Sequence, residues 1–280
     1  MVENKSVKLL TSILKYASLL IAVLTVLIPP YVVVVNAFKS AQEYATTSPF
    51  SLPDNIFNFA NFSKVLEVGK LGQAFMNTGI IVASSLLINI ILGTMVAYAL
   101  GRFSFRGKGM ILAAYLVATF IPLITTQVAT FSIIQDLHLF NSRGAAILLY
   151  ASTDAVQIYL YLQFIGKIPY SLDESAMMEG ASLFRIYRTI IFPLLGPATA
   201  TAVILKTISI YNDMYIPYLY MPSQKLGVVS TSLMRFAGPN SAHWELICAA
   251  ILIVMLPTMI LYLILQRFIF SGIVSGSVKE

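Results

Sequence analysis

The chain has 280 residues, of which 58% are hydrophobic and 11% charged, whereas water-soluble domains carry about a quarter charged residues. Its mean hydropathy is +0.82, and 18 lysines and arginines against 12 acids leave a net charge of +6. A soluble enzyme with one dry core is excluded, and one cysteine (Cys248) and two histidines (His138, His243) rule out a disulfide framework, a thiolate metal site and a histidine-rich metal centre.

A helix needs about 20 mainly apolar residues to cross the hydrocarbon of a bilayer, so the gaps between charges locate the spans. No charge falls between Lys15 and Lys39, Lys70 and Arg102, Lys108 and Asp136, or Glu245 and Arg267; Asp154 alone interrupts Arg143 to Lys167, and Lys206 alone interrupts Arg188 to Asp213. These gaps predict an all-α integral membrane protein, a single domain over residues 1–280. Its six transmembrane helices run roughly over 14–37, 75–100, 109–132, 144–165, 189–211 and 246–269. Pro29, Pro122, Pro193, Pro197 and Pro257 are tolerated inside them where neighbouring helices satisfy the freed carbonyls. The first gap, 23 residues without a charge, exceeds the apolar region of a signal peptide and reads as a retained anchor.

Six crossings place both termini on one side, and lysine and arginine placement says which. Eleven of the 18 basic residues lie at the N-terminus, in the second and fourth loops and at the C-terminal end, which makes that side cytoplasmic. The basic balance therefore orients the chain in the membrane and is not a nucleic-acid patch. The outer loops balance their charges; the longest, about 39–74, is rich in Asn, Phe and Ser. Trp244 and tyrosines 211, 215, 218 and 220 suit an interfacial belt, and the tyrosines equally suit stacking on sugar rings.

Gly101 to Gly109, GRFSFRGKG, has five residues between its first two glycines and a glycine after Lys108. A phosphate-binding loop needs four and a hydroxyl. The segment reads instead as a basic turn. Sequence signatures of zinc hydrolases, serine hydrolases and dinucleotide-binding folds are absent, so no catalytic or metal residue is expected. Within the spans, Asp154, Gln157 and Tyr161 form a polar stripe suited to sugar hydroxyls or to gluing helices. Lys206 stands close enough to the outer end of its span to snorkel, and an Asp154–Lys206 ion pair is a further option.

The fourth loop, KIPYSLDESAMMEGASLFRIYRTIIFP, predicts a short cytoplasmic helix. Ser171 and Glu174 have capping-box spacing, and Ala176, Gly180 and Phe184 recur every four residues as a small-residue face ending in an aromatic. Gly180 costs such a helix about 1 kcal/mol relative to alanine, which a bend or a close contact would explain.

This loop resembles the EAA loop of permease subunits of ATP-binding-cassette importers: Glu174-Ser175-Ala176, three residues, Gly180, nine residues, then Ile190, Phe192 and Pro193. Serine and phenylalanine replace the usual alanine and leucine. Tyr211-Asn212-Asp213 is similar to the W-N-D of sugar permeases. The end of the chain, from Gln266 through Gly272 and Gly276 to Lys279, is similar to the second permease subunit of maltose-type importers.

The resemblance implies a type I importer permease fold whose coupling loop, 167–193, seats Glu174, Ser175, Ala176, Gly180, Phe184 and Pro193 against a cytoplasmic ATPase dimer. Gly272, Gly276 and Lys279 would contact the same dimer. It also implies a second, non-identical permease, an extracellular solute-binding protein and a bacterial or archaeal plasma membrane. ATP and magnesium would be bound by the ATPase, and no cofactor by this chain. Asp154, Gln157, Tyr161 and Asn212 are the expected solute pathway, for di- or oligosaccharides. An ion-coupled secondary transporter is the alternative, predicting an inverted repeat and discontinuous helices, neither of which the sequence clearly reveals; an importer of a polyol or glycerol phosphate is another.

Overall fold

A computed structural model describes residues 5–236 and 243–277, with side chains described for 11–122, 124–236, 243–260 and 262–264. Among these residues the regular structure is helical. Contacts divide the chain into two units, residues 1–71 with 232–257 and residues 72–231 with 258–280.

In the first unit, helix α1 (Lys5–Ala37) keeps Pro29 and Pro30 inside a continuous rod and exposes apolar side chains nearly all round, as a lipid-facing helix does. The segment after α1 is ordered by α2 (Ala41–Thr46) and α3 (Ala60–Val68). Ser40 and Glu43 form a reciprocal capping box on α2. Lys39 is fully buried; its Nζ donates to the Ser48 carbonyl at 2.7 Å and to Ser51 Oγ at 3.1 Å. Asn61 donates to the carbonyls of Ala37 and Lys39, and Asn36 to that of Pro49. The segment's exposed backbone is thus held by buried amide and ammonium groups, because no sheet or long helix is available to pair it.

The second unit is organised by α4 (Leu71–Arg102). Its buried face carries Asn77, Thr78, Ser85, Asn89 and Thr94, while Leu87, Ile91, Leu92 and Met95 are exposed. In lipid, apolar side chains gain little by turning inward, so small and polar residues take the helix contacts. Gly93 and Gly101 let the helix Ala155–Ile165 come close. A Cβ at Gly93 would lie 2.8 Å from Gln157 Nε2, and one at Gly101 would lie 2.7 Å from Ile165 Cγ2.

Three expected spans are broken, which corrects the expectation of continuous helices over 109–132, 144–165 and 189–211. The first bends by 108° between α5 (Lys108–Thr119) and α6 (Leu123–Asp136). Pro122 stands at the start of α6 in extended geometry; it has no N–H to continue the first helix and disfavours helical geometry in the residue before it. The second bends by 45° between α7 (Arg143–Ala151) and α8 (Ala155–Ile165), where Asp154 starts the new helix by accepting the Gln157 amide at 2.9 Å.

The third break follows the helices of the fourth loop. After α9 (Ser171–Met178) and α10 (Leu183–Ile186) come a π-helical turn, Tyr187–Ile191, and α11 (Phe192–Leu194). The path then bends by 72° into α12 (Gly196–Asn212). Pro193 and Pro197 remove two amides around this elbow, so Leu195 and Gly196 turn there. α13 (Tyr215–Tyr220) and α14 (Val229–Ser232) complete the outer end of the unit.

The last helix, α15 (Trp244–Ser277), keeps Pro257 inside it. Among the described residues three helices, Thr11–Ala37, Leu71–Arg102 and Trp244–Ile264, are each long and apolar enough to cross a membrane, and counting each bent pair as one span brings the number to six.

Candidate functional site

The fourth loop is built from two short helices joined by a glycine stop. The capping box expected at Ser171 and Glu174 is not formed. α9 starts from Tyr170, whose carbonyl accepts the Asp173 and Glu174 amides at 2.9 and 3.1 Å, so Ser171 lies within the first turn and Asp173, not Glu174, occupies the third helical position.

The single face expected through Ala176, Gly180 and Phe184 is also corrected. α9 ends at Met178, and Gly180 has φ +79°. The Gly180 amide donates to the Met177 carbonyl and the Ala181 amide to the Ala176 carbonyl, both at 2.9 Å. This paired closure terminates a helix through a left-handed residue. Ser182 then caps α10, its Oγ accepting the Arg185 amide at 3.3 Å. The helical repeat that would align 176, 180 and 184 is interrupted between the last two.

Ala176 and Asp173 are buried and anchor the segment inward. Glu174, Ser175, Gly180 and Phe184 are exposed, Met178 is 89% exposed and Phe184 61%. An apolar, flexible methionine and an aromatic beside a carboxylate make a surface suited to another protein. Pro193 lies behind them at the elbow, in α11.

Sequence reasoning missed the residue that fastens this segment, Arg102 at the end of α4. Its side chain is 8% exposed, and its Nη2 lies 3.0 Å from Asp173 Oδ2. Nη1 donates to the Ile165 carbonyl at 3.4 Å and Nη2 to the Ile168 carbonyl at 3.1 Å. One turn earlier, Tyr98 stacks on Tyr187 at 5.5 Å, and Thr94 Oγ1 is hydrogen-bonded to the Tyr187 hydroxyl at 2.8 Å. Charge counting registered Arg102 only as a topology marker; its pairing to Asp173 spans helices far apart in sequence.

Within the spans, Asp154 and Lys206 are paired, Oδ2 to Nζ at 3.5 Å. Lys206 also donates to the Ser152 carbonyl at 3.3 Å, so it faces the protein instead of snorkelling outward. They edge a cleft of about 240 Å³ with Gln157, Leu160, Ala202 and Ser209. A second opening of about 570 Å³, lined by Tyr115, Thr119, Ser152 and Thr153, meets it at Asp154.

The four expected pathway residues are not gathered into one surface. Gln157 is buried and donates to Asn89 Oδ1 at 2.6 Å, joining α8 to α4. Tyr161 is fully enclosed, near Gln157 and Thr199. Asn212 is exposed at the end of α12 and donates back to the Ile208 carbonyl at 3.0 Å. In the same triplet Asp213 has the organising role: it accepts the Tyr150 hydroxyl at 3.0 Å and the Tyr215 amide at 2.7 Å.

Gly272 and Gly276 lie on the last helix, and Lys279 is outside the described residues. Among the described residues no group of three His, Cys, Asp or Glu side chains could hold a metal ion. His243 stands 3.3 Å from Glu245.

Asp154 has two roles that substitution separates. Asp154→Asn is expected to keep the helix cap and lose the charge pair, whereas Asp154→Ala loses both and melts lower by the value of a cap, about 1 kcal/mol. The charge term should be small, because half of the Asp154 side chain is exposed. Thermal melting of the two variants in detergent tests this; equal midpoints would remove the capping role.

The family described as binding-protein-dependent transport system inner membrane component matches residues 89–274. The melibiose/raffinose/stachyose import permease MelC of Bacillus subtilis is 34% identical over 254 residues, covering 90% of this chain and 91% of that protein. The probable starch degradation products permease AmyC of Thermoanaerobacterium thermosulfurigenes is 32% identical, with 90% and 91% covered. Among solved structures, a chain of a bacterial ABC transporter involved in the import of the acidic polysaccharide alginate superposes with a TM-score of 0.82 at 21% identity, covering 95% of this chain and 99% of that one. An alginate ABC transporter in complex with an alginate pentasaccharide-bound periplasmic protein gives 0.68 at 20% identity, covering 95% and 96%.

Proposed function

The chain belongs to the binding-protein-dependent transport inner membrane family, and from that premise we propose that it is one permease subunit of an ATP-driven importer of di- or oligosaccharides. The observation that carries the reading is the cytoplasmic segment 171–188. Its inner face is fastened by Asp173 and Ala176, and its outer face presents Glu174, Ser175, Met178 and Phe184. A segment anchored on one side and apolar on the other passes a push from a partner into the helices behind it.

In this mechanism the partner is a dimer of cytoplasmic ATPases, which bind ATP and magnesium; this chain performs no chemistry. Glu174, Ser175, Gly180 and Phe184 form the docking surface, with Gly272, Gly276 and Lys279 as a second contact. Ala176 supports it from within, and the exposed Pro193 belongs to the same coupling loop. A second, non-identical permease completes the path, and an extracellular solute-binding protein delivers the sugar. The termini face the cytoplasm of a bacterial or archaeal cell, as the placement of lysines and arginines directs. Rocking of the broken helices about their bends alternates access. The cleft edged by Asp154, Lys206 and Ser209 offers a carboxylate, an ammonium and a hydroxyl to hydroxyls passing through.

Purification from native membranes in mild detergent, with mass spectrometry of the associated chains, tests the assembly. An ATPase and a second permease are expected. Recovery of this chain alone, moving solute in vesicles without ATP, would overturn the reading in favour of a secondary transporter. Uptake of a panel of labelled solutes then tests the cargo; import of a polyol or glycerol phosphate and of no sugar would refute the sugar assignment.

A further inference from the structure

We propose that Arg102 is a positioning residue that locks the cytoplasmic end of α4 to the coupling segment, making residues 94–102 and 155–191 one rigid lever. The inference rests on the coupling role given above to 171–188 and deepens it by naming how force leaves that segment.

The argument begins with helix ends. The last carbonyls of α8 have no partner within their own helix and carry its negative end charge; Arg102 takes that of Ile165, and beyond the helix that of Ile168 in the following turn. The first turn of α9 favours an acid, and Asp173 stands there 3.0 Å from the same guanidinium. Asp173 Oδ2 and Arg102 Nε make no hydrogen bond of good geometry, so the attraction between the two groups is mainly coulombic. The guanidinium carbon also lies 5.7 Å from the centre of the Tyr170 ring.

One planar group therefore holds the end of α8, the turn after it and the start of α9. Arginine suits this better than lysine, because its fork offers several fixed donors. Gly101 admits the close approach, with no side chain to meet Ile165. Tyr98 and Thr94 extend the junction to the π-helical turn through Tyr187. Two of the unit's three bends, at 152–154 and at Leu195, flank this block on both sides. A push on α9 consequently moves α4 with it, and direction changes fall to the bends.

The test uses the whole reconstituted complex in proteoliposomes, reading solute uptake and ATP hydrolysis together. Removing one charge of a buried pair strands the other and can prevent folding, so the main variant is Arg102→Gln with Asp173→Asn. It neutralises both groups and keeps a donor for the carbonyls. The double variant should keep its ATPase and its melting temperature, while uptake per ATP falls about tenfold. Arg102→Gln and Asp173→Asn alone, where they fold, should lose no less than the double, since they break the same contact. A wild-type uptake-to-ATP ratio in the double variant would overturn the lever, as would an equal fall of uptake and hydrolysis together. A wild-type complex that carries no ATPase would overturn the coupling reading and this inference with it.

Discussion

Gly180→Val is expected to abolish ATP-driven uptake while Gly180→Asn retains most of it, although asparagine is of similar bulk. Gly180 sits at φ +79°, where an L-residue meets a penalty of about 1–2 kcal/mol, a β-branched one the most and asparagine the least. Space does not decide the outcome within this chain, because a Cβ at Gly180 would meet nothing within 4 Å. Alanine should fall between the two.

The penalty has structural consequences. Without the left-handed residue, the closing bonds from Gly180 and Ala181 to the carbonyls of Met177 and Ala176 are lost, and α9 can run on by another turn. Ser182 then no longer caps α10, and the exposed Phe184 is displaced from its present position relative to α9. Uptake by proteoliposomes carrying Gly180→Asn, Gly180→Ala and Gly180→Val should rank in that order. A ranking by side-chain volume, with asparagine worse than alanine, would show that docking space and not backbone conformation sets the requirement.

The second large effect concerns the α4–α8 contact. Gly101→Leu should lower the melting temperature by roughly 5 °C or more, because its Cβ would begin 2.7 Å from Ile165 Cγ2 in a packed junction where overfilling costs about 1–3 kcal/mol. Gly93→Leu should do the same by pushing on Gln157, whose amide is committed to Asn89. Ile165→Ala empties the space in front of Gly101, so combining it with Gly101→Leu should recover stability beyond the sum of the single effects. Additive losses in that cycle, read by thermal melting in detergent, would mean that the two residues do not meet as described.

Composition and charge placement are properties of single residues added up, and they were sufficient for the membrane environment and for the approximate positions of the apolar segments. The coupling loop was legible for a similar reason. Glu174, Gly180 and Pro193 stand at set spacings along one continuous stretch, and such spacing survives in a linear string. Gly180 was read as a weak point that a bend would explain, and it is a full stop between two helices. The sign of its φ depends on which carbonyls lie in reach, which a residue list does not state.

What the tertiary structure alone decided are the contacts that close across the chain. Counting charge gaps measures how long an apolar run is, not whether it stays straight; Pro29 and Pro257 remain inside helices, whereas Pro122 and the Pro193–Pro197 pair stand at breaks. The inward face of α4 could have been suspected from Asn77, Ser85 and Asn89, polar residues repeating at helical intervals in an otherwise apolar run. Nothing local announces that Arg102 is buried against Asp173, that the Gln157 amide donates to Asn89, or that Tyr161 is fully enclosed. Those outcomes follow from which helix ends meet, and a helix end can be satisfied by any donor or acceptor that the fold happens to bring to it.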